Sequence, residues 1–240
     1  MTSYLVEHYE KIGDVKTDFR NWNLFHLVAT LIKGESVVDV GCGAAFFLSI
    51  LKAGGKNVVG VEPNSGMRAL ASQMNPGVVV IPGRAEEIDV LLQRPVDSVV
   101  MIDVLEHIED DAEQVKKVQA ILKKNGEFVF VVPAYQFLYG KRDKHMGHYR
   151  RYSKKSLQKI LTANGFLIQH MRHWNALGFL PYLISEKIFH KPLQLELRRS
   201  TKTNVLTRIT RKGLHFWLRL VENNFDFGFG LSIIGVARKI

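Results

Sequence analysis

A short apolar segment that breaks into a glycine turn constrains the fold of this chain more than any other feature. Residues 37–45 read V-V-D-V-G-C-G-A-A, a β-branched strand followed by a turn, and the helix-like stretch 46–53 comes next. Glycine permits a sharp turn and lets the backbone approach a ligand where a Cβ atom would collide. Alone, such a turn is typical of any tight loop, so the residues that follow decide its meaning.

A second strand, 58–61, ends on Glu62, which follows Gly43 by 19 residues. A carboxylate at the tip of the second strand is placed to accept hydrogen bonds from both hydroxyls of a ribose. The third small residue of a dinucleotide fingerprint is missing because position 46 is Phe, and the sequence contains no nucleoside triphosphate loop. The turn and the acid together predict a site for a nucleoside cofactor.

The D-V-G-C-G form of the turn resembles the class I S-adenosylmethionine-dependent methyltransferases, over roughly residues 35–170 and a last strand near 231–238. The resemblance implies S-adenosylmethionine as cofactor, with the glycines near its methionine moiety, Glu62 on its ribose and Asp103 near its amino end. Ala45 stands where the family usually has a third glycine, so we expect crowding there rather than lost binding. The cofactor-binding residues implied by position are Asp39, Gly41, Gly43, Glu62, Pro63, Ala85, Glu86 and Asp103.

The loop after the third predicted strand resembles the family's adenine-covering loop. The family often has an acid directly after the glycine of this loop, but here Arg84 follows Gly83, so we assign the contact to the Ala85 backbone and Glu86. Glu86 and Glu87 are equally well explained as first-turn helix acids, which the helix dipole favours.

Hydrophobic periodicity predicts strands that alternate with helices, as in right-handed βαβ units on a parallel sheet. We therefore expect a Rossmann-like α/β domain over 1–240: a seven-stranded, mostly parallel sheet with an antiparallel last strand and helices on both faces. Its predicted parts are a helical cap (1–33), a cofactor-binding core (34–172), a substrate-side helical insertion (173–230) and the last strand (231–240). The predicted strands are 36–40, 57–61, 77–81, 97–102, 126–132, 166–172 and 231–238, and the predicted helices are 45–53, 65–74, 84–93, 109–124 and 154–163.

Two acids and a histidine follow the fourth predicted strand. Asp103, Glu106 and His107 stand at i, i+3 and i+4, which on a helical turn brings them to one face. Leu-Glu-His at this place resembles ubiquinone-pathway O-methyltransferases, and small-RNA 2′-O-methyltransferases hold a divalent metal with a similar group. Two carboxylates and an imidazole suit Mg²⁺ or Mn²⁺. Metal-free relatives also keep the Glu-His pair to shape the loop, so both explanations stay open.

The loop after the fifth predicted strand, 132–152, is rich in chemically active side chains. His107, His145 and His148 are candidate general bases for O-methylation, and arginine forks bind phosphate or carboxylate groups. The alternative is a basic surface loop whose tyrosines pack inward. The string Gly-His-x-Arg-Arg-Tyr is similar to one in bacterial and archaeal methyltransferases linked to glycosyl transfer and lipid-linked glycans. The candidate catalytic residues are His107, His145, His148, Arg150, Arg151 and Tyr152.

The charge of the chain is distributed unevenly. Residues 1–133 carry 13 Lys and Arg against 18 Asp and Glu, whereas 134–240 carry 20 against 5. Such a basic half attracts nucleic acid, anionic lipid or a phosphorylated substrate. The segment 203–221 alternates apolar and basic residues, which suits either a helix in a membrane interface or an amphipathic cap over the cleft. The single cysteine and the short apolar runs predict a cytoplasmic protein, with peripheral membrane contact as an option.

Three functions remain open. The apolar insertion and the His/Arg/Tyr loop favour O-methylation of a small-molecule or lipid-like acceptor, prenyl or glycolipid, with an anionic group. The basic half favours an RNA methyltransferase, although the sequence shows no added RNA-binding module. A cofactor-binding partner protein without catalysis is the third, because the third glycine is replaced.

Overall fold

A seven-stranded sheet forms the centre of the molecule, in the order β3-β2-β1-β4-β5-β7-β6. The computed structural model describes the backbone of residues 18–189 and 205–240, with side chains from 208 onward in the second range. Strand β7 is antiparallel to both of its neighbours and the other neighbouring pairs are parallel, which confirms the predicted Rossmann-like sheet. The strands are β1 (Ser36–Val40), β2 (Asn57–Glu62), β3 (Val79–Pro82), β4 (Val96–Ile102), β5 (Leu122–Pro133), β6 (Phe166–Trp174) and β7 (Ser232–Lys239).

Helices and short turns connect these strands. No helix within the described residues is long and apolar enough to cross a membrane. Three 3-10 turns follow β3, β4 and β5, at Ala85–Glu87, Leu105–His107 and Gln136–Leu138, and π turns extend two helices at Ile184–Ile188 and Leu218–Glu222. The α-helices are α1 (Phe19–Leu31), α2 (Phe46–Ala53), α3 (Ser65–Met74), α4 (Ile88–Leu91), α5 (Asp111–Ile121), α6 (Lys141–Met146), α7 (Lys154–Ala163), α8 (Ala176–Leu183) and α9 (Val205–Trp217).

Both faces of the sheet are covered, and β5 shows how. Successive strand side chains point to opposite faces, and residues 128–132 are all fully buried. Phe128 and Phe130 pack in the cluster that includes Leu122, Ile121 of α5 and the α7 side chains, whereas Val129 packs in the cluster that includes residues of α1 and α2. A strand buried on both faces needs a continuous apolar run, and this run made β5 predictable from the sequence.

Several predicted boundaries differ from the structure. The predicted helix 84–93 is a 3-10 turn followed by the four-residue α4, because Leu92 is already extended and Pro95 follows. The predicted helix 109–124 ends at Ile121, and β5 begins at once because Leu122 pairs with Val96. Strand β3 starts two residues later than predicted. The part of the predicted cap before residue 18 lies outside the described residues.

A buried carboxylate anchors the insertion to the sheet. Glu222 accepts hydrogen bonds from the backbone amides of Ala176 (3.0 Å) and Leu177 (2.9 Å) at the start of α8. It also accepts one from Trp217 Nε1 at 3.2 Å. Arg172 of β6 donates to the backbone oxygens of the segment that begins at Glu222. These contacts hold both halves of the insertion at the end of β6. The Glu222 carboxylate also lies at the amino end of α8, where the helix dipole favours a negative charge.

We expect Glu222→Gln to lower the free energy of unfolding by about 1–3 kcal/mol, since one acceptor oxygen becomes an amide that faces N–H donors. Urea denaturation measures this change. The matched control is Glu113→Gln on the surface of α5, where Glu113 contacts Lys116 and the expected change is below about 0.5 kcal/mol. Equal stability of the two variants would contradict the anchoring role.

Candidate active site

Backbone strain is concentrated at the carboxyl edge of the sheet. Of the five non-glycine residues with positive φ in the described ranges, four follow strand ends at this edge: Ala45 (61°), Asp103 (55°), Tyr135 (65°) and Asn175 (66°). The left-handed conformation costs a non-glycine residue about 1–2 kcal/mol, and such strain collects at functional sites. Open α/β sheets bind their ligands at this same edge.

The turn after β1 requires its glycines. Gly41 has a φ of 75° and its amide donates to the Val61 carbonyl of β2 at 2.8 Å. A Cβ atom on Gly41 would lie 2.6 Å from a methyl group of Val104, so no side chain fits there. Gly43 has a φ of 55°. Ala45 adopts the left-handed conformation in which the family usually has glycine, and its methyl group is buried in the apolar core; the crowding expected there stays a prediction.

Glu62 lies directly beside this turn. Its carboxylate accepts hydrogen bonds from the Gly43 amide at 3.0 Å and the Asn64 amide at 2.9 Å. Each oxygen keeps a second lone pair, so the side chain is oriented by the protein and still able to accept from a ligand. Pro63 follows in the same turn, where its carbonyl accepts from Arg68.

Two further titratable groups near the turn have raised pKa values. Burial, together with the Glu62 carboxylate, raises the pKa of Asp39 well above its ordinary value. Burial also raises the pKa of the Cys42 thiol, and the nearby Asp39 and Glu62 add to the effect. A buried thiol without thiolate character is a poor nucleophile, so Cys42 has a packing role.

The two acids in the loop after β3, Glu86 and Glu87, make different contacts. Glu87 accepts a hydrogen bond from the Arg84 amide at 2.8 Å and caps the 3-10 turn. Glu86 forms an ion pair with Arg84 at 3.2 Å. Partial burial opposes the charge of Glu86, but the hydrogen bond from Arg84 outweighs it and lowers the pKa of this carboxyl. The helix-acid explanation therefore accounts for Glu87, whereas the adenine contact of Ala85 and Glu86 stays a prediction.

Asp103 has a partner that the sequence analysis missed. Arg20 of α1 lies 3.5 Å from the Asp103 carboxylate, donates to Ser232 Oγ at 3.4 Å, and stacks over the ring of Trp174 at 5.4 Å. Asp18 caps α1 and so puts Arg20 in the first helical turn. A cation in the first turn is unfavourable because it opposes the helix dipole. This unfavourable position was the one sequence signal that Arg20 has an acidic partner elsewhere in the chain.

A group of ionisable side chains lies at the end of β4, in which Glu106 and His148 are buried and His107 is exposed. Glu106, His107 and His148 have ligand atoms within 4.8 Å of one another, and His148 Nε2 lies 4.0 Å from Glu106 Oε1. Both Glu106 Oε2 and His148 Nε2 are buried without a hydrogen-bond partner. Of the three residues predicted to bind a metal, Glu106 and His107 therefore lie beside His148. The third, Asp103, instead contacts Arg20.

Glu106 and His107 have shifted pKa values. Burial raises the pKa of Glu106 well above its ordinary value, and the nearby Asp103 carboxylate adds to this effect. Burial lowers the pKa of His107, and the neighbouring His148 lowers it further. The rings of the two histidines meet edge to face with centroids 4.6 Å apart. Titratable groups with such shifts at a sheet edge are typical of functional sites.

The loop after β5 is organised around Asp143, which is fully buried. Its carboxylate accepts from His148 Nδ1 at 2.9 Å, Arg151 Nε at 2.8 Å and the Gly140 amide at 3.0 Å. Burial opposes the charge of Asp143, but the hydrogen bonds from His148 and Arg151 outweigh it and lower its pKa. Because a carboxylate accepts only, the proton of a neutral His148 stands on Nδ1, and Nε2 presents its lone pair to Glu106.

The other candidate catalytic residues differ in exposure. Arg150 forms an ion pair with Asp111 at 2.8 Å, and the Tyr152 hydroxyl donates to the same carboxylate at 2.9 Å. Burial and Asp111 raise the pKa of Tyr152. Arg151 also donates to the Tyr182 hydroxyl of α8. His145 is exposed on α6. Their roles in catalysis stay a prediction, and the partners Asp111, Asp143 and Tyr182 gave no local sequence signal.

Comparisons with known proteins agree with this geometry. Residues 17–171 match a family model described as a methyltransferase domain. An uncharacterized methyltransferase of Oceanobacillus iheyensis is 29% identical over 98 residues, which is 40% of this chain and 46% of that relative. A ubiquinone biosynthesis O-methyltransferase of Coxiella burnetii is 26% identical over 102 residues, which is 41% of this chain and 44% of the relative. The chain thus spans about half the length of these curated relatives.

Solved structures show the same fold. A methyltransferase of Haloferax volcanii, solved in complex with the Trm112 methyltransferase activator, superposes with a TM-score of 0.65 at 15% identity and covers 100% of this chain and 97% of its own. The family model covers more than half of the chain, and the glycine turn with Glu62 stands where its cofactor half is expected. The chain therefore belongs to the methyltransferase-domain family.

Proposed function

We propose that this protein O-methylates a small-molecule or lipid-like acceptor that carries an anionic group. The observation that carries the proposal is the cluster of aromatic rings at the end of β5. Tyr135, which follows that strand, stacks on His173 with centroids 5.2 Å apart and meets Phe179 of α8 edge to face at 5.5 Å. An aromatic wall binds a ring or an apolar chain, and the basic balance of residues 134–240 suits an anionic group.

The cofactor half fits S-adenosylmethionine. Gly41 and Gly43 leave the turn after β1 free of side chains, and Glu62 keeps lone pairs for the ribose hydroxyls. When bound, the cofactor supplies an activated methyl group on its sulfonium, so the protein has mainly to align the acceptor oxygen with it. Arg20 holds the Asp103 carboxylate at the adjacent strand end, where the amino end of the cofactor is expected.

Activation of the acceptor hydroxyl is assigned to Glu106, His107 and His148. Their donor set, one carboxylate and two imidazoles, suits a divalent transition metal such as Mn²⁺. The buried Glu106 and His148 atoms that lack partners fit a cation, and Asp143 orients His148 through Nδ1 as outer-shell carboxylates do for metal-bound histidines. These three residues would hold such a cation, which would supply Lewis-acid chemistry that favours ionisation of the acceptor hydroxyl. Arg151 acts as a positioning residue through Asp143 and Tyr182.

The first experiment follows methyl-labelled S-adenosylmethionine into a cell extract treated with the purified protein, and partitions the products into organic, aqueous, RNA and protein fractions. We expect label in the organic fraction. Label in RNA would replace this proposal by the RNA methyltransferase alternative. Cofactor binding without transfer to any fraction would support a cofactor-binding partner protein.

We expect Glu62→Ala to weaken the binding of S-adenosylmethionine by at least about 100-fold, because two hydrogen bonds to a charged acceptor are lost. Isothermal titration calorimetry measures the affinity, and a thermal unfolding curve verifies that the variant folds. Glu35→Gln, on an exposed side chain at the amino edge of the sheet, is the matched control. An unchanged affinity in Glu62→Ala would remove the ribose assignment.

We expect His148→Asn to abolish saturable binding of Mn²⁺, and Asp143→Asn to weaken it by about 10–100-fold through the loss of His148 orientation. Titration calorimetry with Mn²⁺ alone measures both. His145→Ala, on an exposed histidine of the same loop, should bind Mn²⁺ like the parent protein. Absence of Mn²⁺ binding in the parent, together with transfer that resists EDTA, would leave these residues a metal-free role in proton transfer.

A further inference from the structure

Large apolar side chains are exposed in unusual number on the insertion between β6 and β7. Six of them leave more than half of their surface in solvent: Leu180, Ile188, Phe189, Ile209, Phe216 and Phe225. They belong to three separate segments, namely α8 with its π turn, α9, and the loop that leads into β7. Single exposed apolar residues are ordinary, but a concentration from several segments marks a contact surface.

Among the residues that the structure describes, contacts within the chain cover one face of α9. The inner face lies against α1, where His215 Nδ1 is 2.9 Å from Asn23 Nδ2 and Leu218 is buried in the core. Ile209, Phe216 and Leu220 are exposed instead, and their spacing of seven and four residues puts them on one side of the helix. The outer apolar side therefore has no partner among the described residues.

The exposed charge around this surface is basic. Of the three acids among the described insertion residues, Glu186 and Glu222 are buried, and Asp226 is held by Lys154 at 3.2 Å. Arg208, Lys212 and Arg219 are exposed beside the apolar side of α9. A helix with basic residues beside a stripe of Phe, Leu and Ile is typical of a membrane interface. A second copy of the same surface would bring like charges together, which disfavours self-association.

A chain of aromatic rings links this surface to the candidate active site. Trp217 of α9 stacks on Phe227 at 6.1 Å, and Phe227 lies 6.4 Å from Phe229. Phe229 lies 5.7 Å from Phe179, which contacts Tyr135 at the end of β5. A row of ring contacts thus connects the inner side of α9 to the end of β5.

We propose that the exposed face of α8, its π turn and α9 docks on an anionic lipid bilayer. The acceptor would then pass from the bilayer to the aromatic cluster at the end of β5. The link to the acceptor rests on the proposed function, whereas docking does not, since vesicle binding is measured without methyl transfer. Apolar side chains supply burial in the interface, and the basic residues supply attraction to anionic headgroups.

Sedimentation of the full chain with vesicles tests the proposal. We expect binding to vesicles of phosphatidylglycerol and little binding to vesicles of phosphatidylcholine. Raising the salt from about 0.1 M to about 1 M shortens the Debye length from about 10 Å to about 3 Å and should weaken the binding. Absence of binding to phosphatidylglycerol vesicles at low salt would overturn the proposal.

Variants separate the two contributions. Ile209→Ser with Phe216→Ser should lower vesicle affinity by at least about tenfold through lost burial, and Lys212→Glu with Arg219→Glu by at least about tenfold through charge reversal. The matched controls are Val90→Ser, an exposed apolar residue of α4, and Lys124→Glu at the amino edge of the sheet. Both controls should bind as the parent does.

Two readouts keep docking apart from the proposed function. Calorimetry with S-adenosylmethionine should give parent-like affinity in every one of these variants, since none of the changed residues contacts the glycine turn. Light scattering reports the oligomeric state. One outcome would overturn the membrane proposal: the parent protein is a dimer that does not bind vesicles, and the Ile209→Ser and Phe216→Ser changes make it a monomer. The surface would then be an interface with a second copy of the chain.

Discussion

The hydrogen bonds to the buried Asp143 carboxylate are the interactions on which the proposed acceptor side of the molecule depends. The carboxylate is buried and ionised only because His148, Arg151 and the Gly140 amide all donate to it, and burying a charge without such partners is costly. Asp143 connects α6 to the loop before α7. Because Arg151 of that loop also donates to Tyr182, the same network connects both to α8. The contact between Asp143 and His148 fixes which nitrogen of His148 faces Glu106.

The two sides of the crevice are built by different means. On the proposed cofactor side, the site is formed mainly by backbone atoms. Gly41 and Gly43 shape the turn, and their amides donate hydrogen bonds to the Val61 carbonyl and the Glu62 carboxylate. On the proposed acceptor side, buried polar side chains hold one another, as Asp143 holds His148 and Arg151. A backbone-built site tolerates little change in side-chain size, whereas a network of side chains fails as a unit when one member is lost.

This difference decides what was predictable. The strands of the sheet and the Glu62 site follow from local signals, namely apolar periodicity, glycines at fixed spacing and an acid at a strand tip. The Arg20–Asp103 contact joins residues 83 apart, and Arg151 meets Tyr182 across 31. No spacing rule encodes such pairs, because the partner is chosen by tertiary packing. The predicted helix 84–93 failed for a local reason, the proline at 95.

The register of the last two strands has an evolutionary consequence. Trp174 at the end of β6 pairs with Ser232 at the start of β7, so the whole insertion leaves and re-enters the sheet at one point. The cost of closing a loop between fixed ends grows only slowly with its length. The length of this excursion can therefore change at little cost to the sheet, and under the proposed function such a change would alter the acceptor side without altering the glycine turn after β1.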